Sequence, residues 1–385
     1  MKKLKHLKSL IKKLITILNF IIIFKKPKRR TKYISFTKFL QNDYLLKYFK
    51  ISFYNFNFFN FHKNQLYLAK LQINFDELLI LILKMKYLIT GASGLIGKKL
   101  VNILLEQNAE INVLTTNKNL KSSNIKITKF YWNPELNIID SKCIEGVKII
   151  INLAGSPIAQ FWSKSSKKSI LSSRVNSVQL LNQIILEKKS KIDHFLCASA
   201  IGVYQSDNSY VHSESSKNIS KSFLGDTVRK WEISCNDLIK QNIKVTILRI
   251  GLVLSLEGGL MKPIALSVKY FLGTWFGKGE NIYSWIHIDD LIDSILFLLN
   301  NNKSGIYNLV APNPISSKLF TLEIGKILNK KIFLPAVPMC LVKLITGSMS
   351  ELFLFSQNVS SKKIIEDGFE FRFKSISSAL NNLLK

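Results

Sequence analysis

Lys86-Tyr87-Leu88-Ile89-Thr90-Gly91-Ala92-Ser93-Gly94-Leu95-Ile96-Gly97 is the stretch whose reading decides the fold. Its first five residues form a short apolar run bounded by a turn signal, the pattern of a buried strand. Leu95, Leu100, Val101, Leu104 and Leu105 then fall on one side of a helix, and Ile111–Leu114 reads as a second strand. A turn with three glycines therefore joins a strand to a helix inside a β-α-β unit. Gly91 permits the tight bend, Gly94 leaves the backbone open to close approach, and Gly97 lets the helix pack closely on the strand.

Unpaired N–H groups at such a helix start, aided by the helix dipole, face whatever anion lies over the turn. With strand, helix and second strand in order, Gly91, Ala92, Ser93, Gly94, Leu95, Ile96 and Gly97 are expected to cradle the pyrophosphate of a dinucleotide. The alternative is a glycine-rich turn that only packs a helix. An Asp or Glu at the end of the second strand would bind the ribose 2′-hydroxyl of NAD. The chain has Thr115-Thr116-Asn117-Lys118 there. That favours NADP, with Thr116 at the site and Lys118 or Lys121 as 2′-phosphate partners or as solvated surface lysines.

The chain has 385 residues, 47% of them apolar, enough for a sizeable core. Disordered, collagen-like and disulfide-dense classes are thereby excluded. Cys143, Cys197, Cys235 and Cys340 lie far apart without a Cys-x-x-Cys pair. Neither a structural zinc site nor a disulfide framework is expected, and a reducing compartment is. The net charge of +30 raises nucleic acid or a membrane surface as partners. Lys outnumbers Arg 49 to 6, however. Drift toward Lys gives that pattern without a binding patch, and Arg, the residue of bidentate phosphate and base contacts, is scarce. No nucleic-acid partner is expected.

Residues 1–84 stand apart. They hold 18 Lys+Arg, 3 acidic residues, 11 of the 25 phenylalanines and none of the 17 glycines. Lacking turn residues, they do not read as a compact domain. Residues 14–24 (LITILNFIIIF) form an apolar run between basic blocks, too short for the ~20 residues of a membrane-crossing helix. Three readings stand: a plastid-type presequence, a translated upstream region with a cytoplasmic protein starting at Met85, and membrane contact through residues 14–24.

The spacing TGxxGxxG at Thr90–Gly97 resembles the extended short-chain dehydrogenase/reductase superfamily. Ile151–Ile158 (INLAGSPI), Ser172–Val175 (SSRV), Ala198–Tyr204 (ASAIGVY), Trp285–Asp290 (WIHIDD), Tyr307–Pro314 (YNLVAPNP) and Phe355–Val359 (FSQNV) follow in order. Together they look like its atypical branch, the epimerase-family or nucleoside-diphosphate-sugar-epimerase-like proteins. The resemblance runs from Met85 to about Lys385. It implies an α/β fold: a Rossmann-type doubly wound parallel sheet over residues 85–260 that binds NADP, and a smaller C-terminal substrate-side or lid region over 261–385. It implies that Asn152, Ala154 and Gly155 line the cofactor and that the substrate is a small molecule such as a sugar nucleotide. Plant members of the branch are linked to plastid division.

Active members of that superfamily pair a Tyr with a Lys four residues on. The spacing puts both on one helix face, where the ammonium lowers the phenol pKa for proton transfer. None of the 12 tyrosines here has Lys at that distance. Setting Glu232 against the family's helix pattern puts Leu224 at the tyrosine, Val228 at the lysine and Arg174 at the assisting asparagine. Ser199 alone remains at a catalytic place, with Ala200 as the other register. Tyr204 follows Ser199 closely and either faces the cleft or, the reading favoured for an aromatic, packs in the core or rim. Arg174, Arg229 and Arg249 stand out in so Lys-biased a chain. Each suggests a bidentate contact that Lys cannot replace, at the cofactor for Arg249, or a structural carboxylate pair.

In the superfamily motif that His287, Asp289 and Asp290 resemble, these residues begin a helix after a strand, which implies capping by Asp289 rather than a metal or charge relay. His6, His62, His194 and His212 form no ligand spacing, and no metal site is expected. Val245–Leu254 should be one late parallel strand, and Leu319–Leu328 a helix. Residues 261–280, with Pro263 and three glycines among Tyr270, Phe271, Trp275 and Phe276, read as a substrate-side loop or lid, or as a packing segment. Three functions follow: an NADP-dependent epimerase/dehydratase or reductase, a catalytically impaired dinucleotide-binding scaffold used in plastid or cell division, and a membrane-tethered interaction protein that depends only on residues 14–24.

Overall fold

A computed structural model describes residues 85–122 and 124–385. Residues Met85–Lys385 form one compact unit. The presequence, upstream-region and membrane-contact readings of residues 1–84 lie outside the described residues. Among the described residues, no helix is long and apolar enough to cross a membrane.

The strands, in chain order, begin with β1 (Lys86–Thr90), β2 (Glu110–Thr115), β3 (Ile127–Asn133), β4 (Ile138–Ile139), β5 (Ile149–Asn152), β6 (His194–Ala200) and β7 (Asp207–His212). They continue with β8 (Lys244–Ile250), β9 (Leu252–Leu254), β10 (Ile282–Tyr283), β11 (Trp285–His287), β12 (Gly305–Leu309), β13 (Ile315–Ser316) and β14 (Gln357–Val359). Eight of them make the central sheet in the order β12-β8-β6-β5-β1-β2-β3-β4, parallel throughout except at β3–β4. The chain steps from β1 outward to β2 and β3, then returns to β5 on the other side of β1. That reversal is the topological switch point of a Rossmann-type doubly wound sheet, where ligands bind outside the carboxyl ends of the strands.

Burial on both faces explains why β1 reads as an unbroken apolar run. Tyr87 and Ile89 pack with Leu100 and Leu104 of the helix Leu95–Glu106 and with Leu291 and Ile295 of the helix Ile288–Asn300. Leu88 faces the opposite layer, beside Ile150, Phe195 and Leu181, the last on the helix Lys164–Glu187. A third core lies outside the sheet. There Trp285 and Leu254 pack with Val268, Phe320 and Leu380 from the helices Met261–Lys269, Ser317–Ile327 and Ile376–Leu384. The sheet itself extends past residue 260, because β12 forms its outer strand.

Two expectations are corrected. The strand predicted over Val245–Leu254 is two strands in two sheets, β8 paired with β6 and β12, and β9 paired with β11. Gly251 is the point of transfer. Its amide bonds the Leu309 carbonyl at 3.1 Å, while the next amide, Leu252, bonds Ser284 at 2.9 Å. A β-carbon on Gly251 would stand 2.4 Å from the Ser284 oxygen, so only glycine lets the chain pass. The helix Ile288–Asn300 is capped by His287, whose Nδ1 accepts the Asp289 amide at 3.1 Å, not by Asp289. The Asp289 carboxylate pairs with Lys99 instead.

His194, at the start of β6, is 2% exposed and its Nε2 meets Thr246 Oγ1 at 2.6 Å. Thr246 in turn donates to the Lys303 carbonyl at 2.6 Å, which ties β6 and β8 to the turn before β12. Burial, reinforced by Lys244, pushes the imidazole from 6.5 down to about 4. Below pH 6.5 the unfolded chain takes up a proton that the folded chain refuses. This contribution to stability is therefore full above pH 6.5 and shrinks as pH falls toward 4. His194→Gln, which keeps a donor for Thr246, is expected to shrink the drop in the urea midpoint between those pH values. An undiminished drop in the variant would contradict the assignment.

Candidate functional site

The glycine turn closes on itself. Gly91 has φ +67°, and a β-carbon there would stand 2.6 Å from the Leu153 oxygen. A β-carbon on Gly97 would stand 2.2 Å from the Gly91 oxygen and 2.8 Å from Ala92 Cα. Gly97 thus packs the helix on the turn itself, not on the strand as expected. Gly94 is the extended N-cap of the helix Leu95–Glu106, with its amide on the Gly91 carbonyl at 3.0 Å. No side chain caps this helix and no acid sits in its first turn. The helices starting at Lys164, Phe223, Ser317 and Ile376 all take serine caps. The N–H groups of Leu95, Ile96 and Gly97 precede the first intrahelical bond, Lys98 to Gly94 at 2.9 Å. Ser93 and Gly94 are exposed, and Ala92, Leu95 and Ile96 are half-buried. Three free backbone donors with no acid in their own helical turn fit a diphosphate; Glu257 and Asp289, the latter paired with Lys99, border Leu95.

The neighbouring strand ends complete the groove. Thr90 Oγ1 donates to Asn152 Oδ1 at 2.6 Å and accepts the Leu153 and Ala154 amides at 3.1 and 3.0 Å. Asn152 Nδ2 donates to Ser177 at 3.1 Å. The Asn152 side chain is fully buried, so it fixes the loop that carries Ala154 and Gly155. Gly155 is exposed and Ala154 half-exposed. At the end of β2, Thr116, Asn117 and Lys118 are exposed and no carboxylate stands among them. The structure therefore brings the turn, Thr116, Ala154 and Gly155 to the carboxyl ends of adjacent strands.

Arg174 lies under Gly155, its Cζ 3.0 Å from where a β-carbon there would stand. It donates to the Ile170 and Ser156 carbonyls at 2.8 and 3.2 Å and lies 5.2 Å over the Trp231 ring. Burial pulls the guanidinium down to about 10, and among the described residues no carboxylate pairs with it. Its planar fork supports the loop by hydrogen bonds to carbonyls.

Ser199 and Arg249 sit elsewhere, in one buried network. Arg249 Nε and Nη2 take Glu232 bidentately at 2.8 and 2.7 Å, and Nη1 reaches Tyr204 OH at 2.8 Å. Ser199 donates to the same carboxylate at 2.5 Å, and Tyr204 donates to Asn308 at 2.7 Å. Ser199 and Arg249 are 4% and 5% exposed. Of the two uses weighed for Arg249, the structure shows the carboxylate pair. Tyr204, fully buried and stacked on His212, is core, and burial raises its phenol despite Arg249. Arg229 makes an exposed pair with Asp226.

Beyond the ends of β6 and β8 lies a cavity of about 520 Å³, lined by Ala200, Ile250, Leu224, Val228, Trp275 and Glu351 among others. Leu224 and Val228, on the helix Phe223–Ile233, face it from the two positions that the resemblance assigns to a Tyr/Lys pair. Residues 261–280 do border it, through Pro263, Ile264, Ser267, Leu272, Trp275 and Phe276. No motif surrounds Glu351 in the sequence; only the fold carries it to this wall. Among the described residues, no group of three His, Cys, Asp or Glu could hold a metal ion.

The buried pair and the surface pair respond differently to truncation. Glu232→Ala strands Arg249 and should cost about 3–5 kcal/mol in urea unfolding. Arg229→Ala should cost less than about 1 kcal/mol. Equal losses would contradict the placement.

Residues 87–309 match the model of the NAD dependent epimerase/dehydratase family, and residues 337–383 that of a domain of unknown function, DUF1731. Epimerase family protein SA0724 of Staphylococcus aureus (strain N315) is 34% identical over 303 residues, covering 78% of this chain and 99% of the relative. Epimerase family protein SERP0438 of Staphylococcus epidermidis is 34% identical over 301 residues, with the same coverage. Human epimerase family protein SDR39U1, solved with NADPH, superposes with a TM-score of 0.67 at 24% identity, covering 78% of this chain and 99% of its own. The nucleoside-diphosphate sugar epimerase of Corynebacterium glutamicum gives 0.62 at 25% identity, covering 83% and 64%. With its switch-point turn, its sheet order and these matches in agreement, the chain belongs to the NAD-dependent epimerase/dehydratase family and carries a DUF1731 domain at its carboxyl end.

Proposed function

We propose that the protein binds NADP(H) across the Gly91–Gly97 turn and acts with it on a small molecule held in the adjoining cavity, as an epimerase, dehydratase or reductase. One observation carries this reading: the helix start at Gly94 has neither a side-chain cap nor an acid, and it stands at the switch point of the sheet. The human relative solved with NADPH supports the choice of coenzyme. When bound, the dinucleotide supplies a hydride donor or acceptor. The Leu95, Ile96 and Gly97 amides hold its diphosphate. Thr116 and Lys118, with no carboxylate beside them, receive a ribose 2′-phosphate. Ala154 and Gly155 leave room beside the ring, and the apolar cavity keeps water from the substrate. Ser199 is the proposed catalytic hydroxyl, acting once released from Glu232, to which it donates in this structure. UDP-glucuronic acid 4-epimerase from Bacillus cereus, solved with UDP-glucuronic acid and NAD, makes sugar nucleotides one substrate class to test.

A second reading rests on Leu224 and Val228, which can move no proton from the places of the Tyr/Lys pair. In it the protein is a dinucleotide-stabilised scaffold, the form in which a role in plastid division would make sense. Both readings require coenzyme binding, and only the first requires turnover.

Titrating the full chain with NADPH, followed by nicotinamide fluorescence, should give saturable binding tighter than that of NADH. Gly94→Asp separates a diphosphate cradle from a packing turn. Aspartate suits an N-cap, so stability should hold, while its charge beside a diphosphate should weaken NADPH at least about tenfold. Unaltered NADPH affinity in that variant would refute the cradle.

A further inference from the structure

We propose that the cavity beyond β6 and β8 takes an uncharged, largely apolar carbonyl or alcohol compound rather than a sugar nucleotide, with Glu351 as the group that meets its oxygen. The inference rests on the preceding reading for its coenzyme, and it specifies the substrate class.

Size does not discriminate, since about 520 Å³ suits many small molecules. Wall chemistry does. Leu224, Val228, Ile264, Trp275, Phe276 and Phe353 present apolar surface, and among the described residues no Lys, Arg or His lines the cavity. Composition does not explain this, because residues 85–385 carry 37 Lys+Arg against 22 Asp+Glu. A diphosphate is ordinarily met by charge-assisted donors, and a cation-poor wall in a cation-rich chain offers it none. The nearby lysines are engaged by aromatic rings or by the wall's own carboxyl: Lys318 lies 5.3 Å over the Trp275 ring, and Lys167 lies 5.1 Å over the Phe223 ring and acts on Glu351.

The one charged residue on the wall has the wrong sign for a diphosphate. Glu351 is half-buried and accepts the Leu224 amide at 3.4 Å. It thus reaches, from the DUF1731 segment, the first turn of the helix on which the Tyr/Lys pair is missing. Burial holds its carboxyl above the ordinary range. A carboxyl donates to a carbonyl oxygen when protonated and accepts from a hydroxyl when ionised, so it serves both members of a carbonyl/alcohol couple. The remaining polar wall groups, such as Ser267, Thr274 and Thr321, are neutral.

Calorimetric titration of the full chain with acetophenone and with UDP-glucose, each with and without NADPH, tests the inference. Acetophenone should bind saturably, at least about tenfold tighter than UDP-glucose. Val228→Trp, which fills the cavity, should abolish acetophenone binding and leave NADPH binding intact. Glu351→Leu should weaken acetophenone about tenfold, and Glu351→Gln, which keeps a donor and an acceptor, should restore it. Tighter binding of UDP-glucose in the unaltered protein would overturn the proposal, whatever the variants do. So would acetophenone binding indifferent to both Val228→Trp and Glu351→Leu. Loss of NADPH binding with acetophenone binding retained would sink the coenzyme reading and leave the cavity's ligand class standing.

Discussion

The contact between Gly97 and the Gly91 carbonyl governs the rest of the structure. There is no room for a side chain where these two backbones meet, so the helix Leu95–Glu106 starts directly on the turn that leaves β1. That placement fixes the helix axis against the sheet and aims its first amides across the switch point. Thr90 and Asn152 then tie the β5 loop to the same place, and Arg174 supports that loop from below. Each of these polar groups is buried and satisfied, as a groove of defined shape demands.

Much of this was legible in the residues. The turn, its flanking elements and the absence of a carboxylate after β2 were readable because each depends on local geometry and on residues adjacent in sequence. What was not legible depends on contacts between distant residues. Arg249 reads equally well as a cofactor contact or a carboxylate partner until Glu232 and Tyr204 are seen around it. Gly251 looks like one position within a β-branched run, and only the Ser284 carbonyl shows why the chain changes sheets there. Glu351 has no motif at all. It arrives at the cavity through the packing of a carboxyl-terminal segment against the helix Phe223–Ile233. The cap of the helix Ile288–Asn300 falls to His287 rather than to Asp289, a choice between neighbours that pattern does not make.

The two halves of the candidate site differ in what they offer. The coenzyme side is built of backbone, which makes it tolerant of side-chain drift toward Lys. The cavity side is built of aliphatic and aromatic side chains around one carboxyl, with Leu224 and Val228 of the helix Phe223–Ile233 facing it. The Ser199–Glu232–Arg249–Tyr204 network lies behind that wall and is closed, every charge in it paired. It gives the site rigidity, and its charges are spent on one another.

Backbone amides at one helix start are the proposed diphosphate donors, and nuclear magnetic resonance of those amides tests that role most directly. On addition of NADPH to the full-length protein, the amide resonances of Leu95, Ile96 and Gly97 should move downfield together, as donors engaging a diphosphate do, with the largest change at these three positions. Coenzyme binding that leaves all three resonances in place would contradict the account.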